Sequence, residues 1–275
     1  MFLYEAEYQL ALSLVKEAAQ LFLPAFHSTK TIVTKLSSSD LVTETDQAIE
    51  QLLCKRIKQA FPEHLFIGEE TVSAGVQCDY TDQPTWIIDP IDGTMNFVHR
   101  YPSTCIVIGF SVGKVMRFGV VYNPVLDLLY TGKQGYGAQC NGFTIHVSGQ
   151  TELNQALVIT EMGANRAPDV VRVITDNISA LCAEPEACHG LRMAGSAALN
   201  ICNVAEGSAD AYYECGMHIW DLAAASVVLS EAGGVMMSPC EESFDLCKRR
   251  VVAASSERLA AVIKSKITHV EYPMD

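Results

Sequence analysis

The sequence predicts a layered α/β or α+β fold, on three observations. Short apolar runs of strand length alternate with stretches of helical period along the whole chain. Gly and Pro punctuate the joins between them. Apolar residues make up 49% of the 275 positions, and no Ser/Gly-rich linker, repeat or low-complexity tract divides them, so one domain over residues 1–275 is expected.

The first element is a helix with Leu3, Leu10, Leu14, Ala18 and Leu21 on one face. Its charges at Glu5, Glu7, Lys16 and Glu17 exclude a signal peptide. Residues 32–40, rich in Ser, Thr and Lys, read as a polar loop carrying Lys35. Asp46 precedes a second helix whose buried face is Ile49, Leu52, Leu53, Ile57 and Phe61, and Pro62 stops it. A strand at 65–67 leads through Gly68 into Glu69 and Glu70, and a polar loop then runs to the strand at 85–89. Residues 105–112 and 115–122 form a hairpin around Gly113, with another strand at 128–131. A strand at 156–160 and a helix at 170–181 follow. Gly195-Ser196 opens a helix that Gly207 ends, and the strand 209–213 finishes at Glu214. Asp221 begins the helix 222–232, closed by Gly233-Gly234, before a last strand at 251–254 and a terminal helix.

A net charge of −13 argues against nucleic acid and acidic membranes as partners. It also opposes an anionic substrate, unless some of the carboxylates hold cations. The ten cysteines form no disulfide or zinc framework, which points to a reducing compartment, and the cytoplasm is expected. No apolar run reaches the ~18 residues of a membrane span.

The chemistry concentrates in Trp86-Ile87-Ile88-Asp89-Pro90-Ile91-Asp92-Gly93-Thr94. A buried strand here empties into two carboxylates, a glycine and a hydroxyl, at the strand end where α/β proteins place ligands. Asp89 and Asp92 are hard donors near enough to share a divalent cation, and Pro90 stiffens the turn between them. Backbone N–H groups of Gly93 and Thr94 could cradle phosphate oxygens. Glu69 and Asp221 also sit at element ends, from which distant residues can converge on one pocket. Simpler readings stand beside these. Asp221 and Ser196 both suit helix N-caps, Glu69 and Glu70 suit surface acids, and Glu214 suits either a sheet-edge acid or an acceptor for substrate hydroxyls. No Gly-x-Ser-x-Gly elbow, Walker loop or dinucleotide fingerprint is present, and the seven histidines make no metal pair at i, i+4. His99 and His218 are read as structural.

On these residues the chain resembles the inositol monophosphatase family over nearly its whole length. The anchors are Gly68-Glu69-Glu70, the stretch from Trp86 to Thr94, and Trp220-Asp221-Leu222-Ala223-Ala224-Ala225 running to Glu231-Ala232-Gly233-Gly234. Asn96-Phe97-Val98-His99-Arg100 and Asp210-Ala211-Tyr212-Tyr213-Glu214 look like the family's animal members. The resemblance implies an αβαβα sandwich, usually homodimeric. It implies that Glu69, Asp89 and the Ile91 carbonyl hold one Mg²⁺, and that Asp89, Asp92 and Asp221 hold a second. A third, weaker ion would lean on Glu69. Gly93 and Thr94 would meet the phosphate, while Gly195, Ser196, Ala197 and Glu214 would meet the inositol ring, with Asp92 and Asp221 nearby. Thr94, supported by Asp46, would help Glu69 orient the attacking water, and Lys35 falls in the segment resembling a mobile metal-site loop. The implied activity is Mg²⁺-dependent hydrolysis of myo-inositol monophosphates to myo-inositol and phosphate, which feeds inositol recycling for phosphatidylinositol signalling, with lithium as inhibitor.

One departure is Met95, where relatives commonly carry a second threonine; altered packing is expected there. Two other readings remain. One is a sister phosphatase acting on a nucleotide bisphosphate, fructose bisphosphate or histidinol phosphate. The other is a non-catalytic metal-binding scaffold, which retention of the carboxylates disfavours.

Overall fold

Alternation along two sheets, each buried on both faces, sets the architecture. The structure, a computed structural model, describes residues 2–28, 32–34 and 41–275, with residues 32–34, 41 and 42 described by their backbone alone. Lys35 and most of the expected polar loop lie outside the described residues. The chain begins with α1 (Glu5–His27), and the antiparallel pair β1 (Ile32–Thr34) and β2 (Leu41–Thr43) follows. After α2 (Glu44–Ala60) come β3 (Leu65–Gly68), α3 (Glu69–Ser73), β4 (Thr85–Asp92) and α4 (Thr94–His99). A meander then runs through β5 (Cys105–Val112), β6 (Val115–Asn123), β7 (Leu128–Lys133), β8 (Gly137–Cys140) and β9 (Phe143–Thr144). β3 to β9 form one seven-stranded sheet in chain order, antiparallel except where β3 and β4 run parallel.

The second half contributes β10 (Leu157–Thr160), α5 (Pro168–Cys182), β11 (Gly190–Arg192), α6 (Ala197–Ala205), β12 (Ala211–Cys215) and α7 (Ile219–Glu231). It ends with β13 (Val235–Met237), β14 (Arg250–Ala254) and α8 (Glu257–Lys266). Its five strands order as β11-β10-β12-β14-β13, with β10 parallel to both of its neighbours.

Period-two burial shows how these pieces stack. Ile106, Ile108 and Phe110 of β5 pack with α1 and α2, whereas Cys105 and Val107 pack with α6 and α7. In the second sheet, Tyr212, Val251 and Ala253 face α6 and α7, while Ala211, Tyr213, Val252 and Ala254 face α5 and α8. The layers are therefore helix, sheet, helix, sheet, helix, which is the αβαβα sandwich. α7, in the middle layer, is buried nearly all round. It sits directly on sheet backbone: a methyl added at Gly119 would fall 2.0 Å from the Ala224 carbonyl oxygen.

Three local expectations need correcting. Leu3 precedes α1 and is exposed, and Leu21 is partly exposed. Leu14 and Ala18 do lie on the buried stripe, which is Tyr8, Ala11, Leu14, Val15, Ala18, Ala19, Phe22 and Phe26; its aromatic members meet the rings of Phe97 and Phe118. Asp46 and Asp221 do not precede their helices but lie within the first turns, at the third helical position. β4 does not stop at Asp89 but continues to Asp92.

Replacing Gly119 with Ala forces β6 and α7 apart and is expected to cost at least about 3 kcal/mol. Urea unfolding midpoints of the two proteins measure this, and an unchanged midpoint would contradict the close seating of α7.

Candidate active site

The continuation of β4 explains how its two aspartates meet. Asp89 pairs with Val107 and Asp92 with Cys105, so three steps along β4 oppose two along β5. Pro90 has no N–H for the ladder, and the extra residue is taken up as a bulge. Val107 and Cys105 are two apart and share one side of the sheet, so Asp89 and Asp92 share it too. Regular strand spacing would have put them on opposite faces.

Asp221 reaches them from α7. Its carboxylate accepts the His218 backbone N–H at 2.6 Å, which fixes the first turn of the helix. Carboxylate oxygens of Asp89, Asp92 and Asp221 all lie within 4.8 Å of one another. Glu69, at the first position of α3, is hydrogen-bonded to Asp89, and so is Asp221. Beneath Glu69, the buried Glu50 carboxylate accepts the N–H groups of Glu70 and Thr71, each at 2.8 Å, and so anchors α3.

Burial pushes the Asp89 and Asp221 carboxyls well up, with repulsion from the neighbouring acids adding to it. Asp92 is lifted, again mainly by burial, to about 6, although Ser196 Oγ donates to it at 2.5 Å and Ala198 N–H at 2.9 Å. Clustered, desolvated carboxylates cannot all ionise without a counter-charge, and hard oxygen donors suit a hard divalent cation. The donor set thus fits metal ions of that type.

The Gly93-Thr94 turn adjoins this cluster. Gly93, at φ 81°, caps α4 in a left-handed conformation, and a methyl there would meet the Gly195 carbonyl oxygen at 2.9 Å. Thr94 Oγ1 donates to the Ile91 carbonyl at 3.0 Å and lies 3.4 Å from Asp46 Oδ1. Burial lifts the Asp46 carboxyl to about 7, although its other oxygen accepts the Thr43 N–H at 2.9 Å. Met95 is half-buried beside Thr94.

Gly195 and Ser196 come to the same place from the second sheet. Ser196 is the N-cap of α6, accepting the Leu199 N–H, and it also reaches Asp92; the cap and the site contact coexist. Ala197 opens α6 immediately after it. Glu214, half-buried at the end of β12, accepts the Tyr212 hydroxyl, and burial raises its carboxyl strongly. His99 is exposed, and His218 lies between Asp275 and Arg249 rather than in the cluster.

Sequence reasoning missed Asn96 and Glu161. Asn96 Nδ2 donates to the carbonyls of Ser103 at 2.7 Å and Ala194 at 2.6 Å, tying α4 to the Gly195 loop. Glu161 follows the buried strand β10 as Glu69 follows β3, and that shared strand-end position was the available signal. A second donor group, Cys240, His269 and Glu271, lies apart from this site; Glu271 there is engaged by Arg250 at 2.6 Å and His269 at 3.0 Å, so the group reads as an ion-pair network.

Converging carboxylates beside a glycine turn define the class: a metal-assisted phosphoric monoester hydrolase on an αβαβα frame. Residues 4–271 match the inositol monophosphatase family. Inositol monophosphatase 1 of Rattus norvegicus is 46% identical over 265 residues, spanning 96% of this chain and 95% of the relative. Human inositol monophosphatase 2 is 44% identical over 272 residues, spanning 99% and 94%. Among solved structures, the extragenic suppressor protein suhB of Bartonella henselae superposes with a TM-score of 0.84 at 25% identity, covering 95% of this chain and 98% of its own. The chain belongs to the inositol monophosphatase family.

The raised carboxyls tie stability to metal. Protons held by the folded state but released on unfolding stabilise the metal-free fold below the usual carboxylate pKa of 3.8, and that contribution is lost as pH rises through the folded value, about 6 for Asp92. A divalent cation bound there would replace those protons. The rise in Tm produced by Mg²⁺ or Mn²⁺ should therefore be larger at pH 8 than at pH 5, as read by scanning fluorimetry; equal rises at both pH values would contradict it.

Proposed function

We propose that this chain hydrolyses myo-inositol monophosphates to myo-inositol and inorganic phosphate, with Mg²⁺ as the cofactor. The observation that carries this reading is the meeting of Asp89, Asp92 and Asp221, with Glu69 attached, beside the Gly93-Thr94 turn. Relatives named inositol monophosphatases along almost the entire chain support the substrate. Because α6 and α7 lie against both sheets, the chain is taken to act as one unit over residues 1–275.

Glu69, Asp89 and the Ile91 carbonyl would hold one ion, Asp89, Asp92 and Asp221 a second, and Glu69 would share in a weaker third. Bound there, the ions supply an acidified water and positive charge for the phosphate and the departing oxygen. The protein does the positioning. Gly93 and Thr94 offer backbone N–H groups to phosphate oxygens. The single hydroxyl proton of Thr94 is directed to the Ile91 carbonyl and Asp46, which leaves its lone pairs to receive a hydrogen from water and orient it with Glu69. Gly195, Ser196, Ala197 and Glu214 face the polyol, with Asp92 and Asp221 close by, and Glu214 accepts from ring hydroxyls.

The reading extends to a cytoplasmic homodimer inhibited by lithium. Among the described residues no helix is long and apolar enough to cross a membrane, and none of the ten cysteines is in a disulfide. Light scattering tests the dimer.

Purified protein should release phosphate from inositol 1-phosphate in millimolar Mg²⁺ and lose that activity in millimolar Li⁺. Asp89→Asn should lower turnover by at least about a hundredfold. Its metal-free Tm should equal or exceed the wild-type value, because a buried amide, unlike the crowded carboxyl, has no ionisation to suppress. Turnover by Asp89→Asn at the wild-type rate would overturn the metal assignment, and absent wild-type phosphate release would overturn the function.

A further inference from the structure

The Ala194-Gly195 backbone is clamped from two sides, and only one of those clamps belongs to the phosphate side of the site. From α4, Asn96 donates to the Ala194 carbonyl at 2.6 Å. From the second sheet, a single oxygen of Glu161 accepts three N–H groups. They come from Ala194 at 2.7 Å, Gly195 at 2.6 Å and the Asn200 side chain, on α6, at 2.9 Å. Three donors on one carboxylate oxygen form a charge-assisted cluster, stronger than neutral pairs of the same length.

Topology puts Glu161 beside the polyol end. β10 and β12 run parallel with Thr160 opposite Tyr213, so Glu161, just past the end of β10, comes beside Glu214, which is still paired with Val251 in the sheet. Gly195 itself is exposed and held at φ 82°, with Asn96 Nδ2 only 2.7 Å from where a methyl would stand. Ala194 and Gly195 carry no polar side chain, so apart from the Ser196 hydroxyl on Asp92 their position is set by what their backbone bonds to.

We propose that Glu161 is a specificity-determining positioning residue: its carboxylate fixes the Ala194-Gly195 backbone and the start of α6 as the wall against which the polyol part of the substrate is seated. The proposal rests on the functional reading above. Glu161 need not touch the reacting phosphate, which is served by the Gly93-Thr94 turn and the Asp89–Asp92–Asp221 cluster on the other side. Its loss should therefore weaken recognition of the ring and spare recognition of the anion.

The test compares steady-state kinetics of wild type, Glu161→Ala, Glu161→Gln and Asn200→Ala, with inorganic phosphate as competitive inhibitor. Glu161→Ala should raise KM for inositol 1-phosphate by about tenfold or more, since it removes hydrogen bonds to a charged group. The phosphate inhibition constant and kcat should stay within a factor of about three. Glu161→Gln keeps an acceptor oxygen and should recover most of the affinity; Asn200→Ala removes one bond of the three and should fall between. Should Glu161→Ala fail to fold, the Gln and Asn200 variants carry the same comparison. A KM that does not move, or a phosphate constant that rises in step with KM, would overturn the proposal. Absent wild-type turnover would remove the functional reading and this inference together, whereas wild-type turnover with unmoved variant KM values would remove this inference alone.

Discussion

Acidic groups forced together out of water are the constraint on which the site depends. Asp89 and Asp92 are almost inaccessible to solvent, and Asp221 and Glu69 lie against them. In water such a group would spread apart; here the bulge of β4 and the first turns of α3 and α7 hold it. The frame thus stores an unfavourable interaction that a small hard cation relieves. A cation held there would let a −13 protein receive a phosphate ester.

The carboxylates are held by the ordinary devices of helix capping. Asp46 and Asp221 occupy the third position of their helices and accept the backbone N–H groups of Thr43 and His218. Ser196 caps α6 and also donates to Asp92. Capping and site membership were alternatives when only spacing was visible. In the folded chain they are one interaction serving both ends, since each cap fixes the direction in which the remaining oxygen points.

This explains which features were legible in the sequence. The long elements and the glycine stops could be read because burial period and turn chemistry are local. The anchors around Glu69, Asp89 and Asp221 could be read because acids beside apolar strand and helix runs are unusual in a buried context. The bulge could not be read, because its evidence is the pairing of Asp89 and Asp92 with Val107 and Cys105, more than ten residues away. Nor could the true face of α1, where Phe22 and Phe26 are selected by the rings they meet rather than by leucine spacing. Glu161 was hidden for a third reason. Two of its three partners are backbone N–H groups of Ala194 and Gly195, which carry no residue signature, and the third, Asn200, is 39 residues away.

α7 carries Asp221 at one end and lies with its flank on the bare backbone of Gly119. The helix has no slack in which to drift, so one corner of the acidic cluster is set by how well the middle layer fits. Small repackings far from any substrate, between α7 and either sheet, would register as changed affinity for the ion. Cation titration is then a sensitive gauge of interior fit in this protein, with the cluster acting as a built-in caliper.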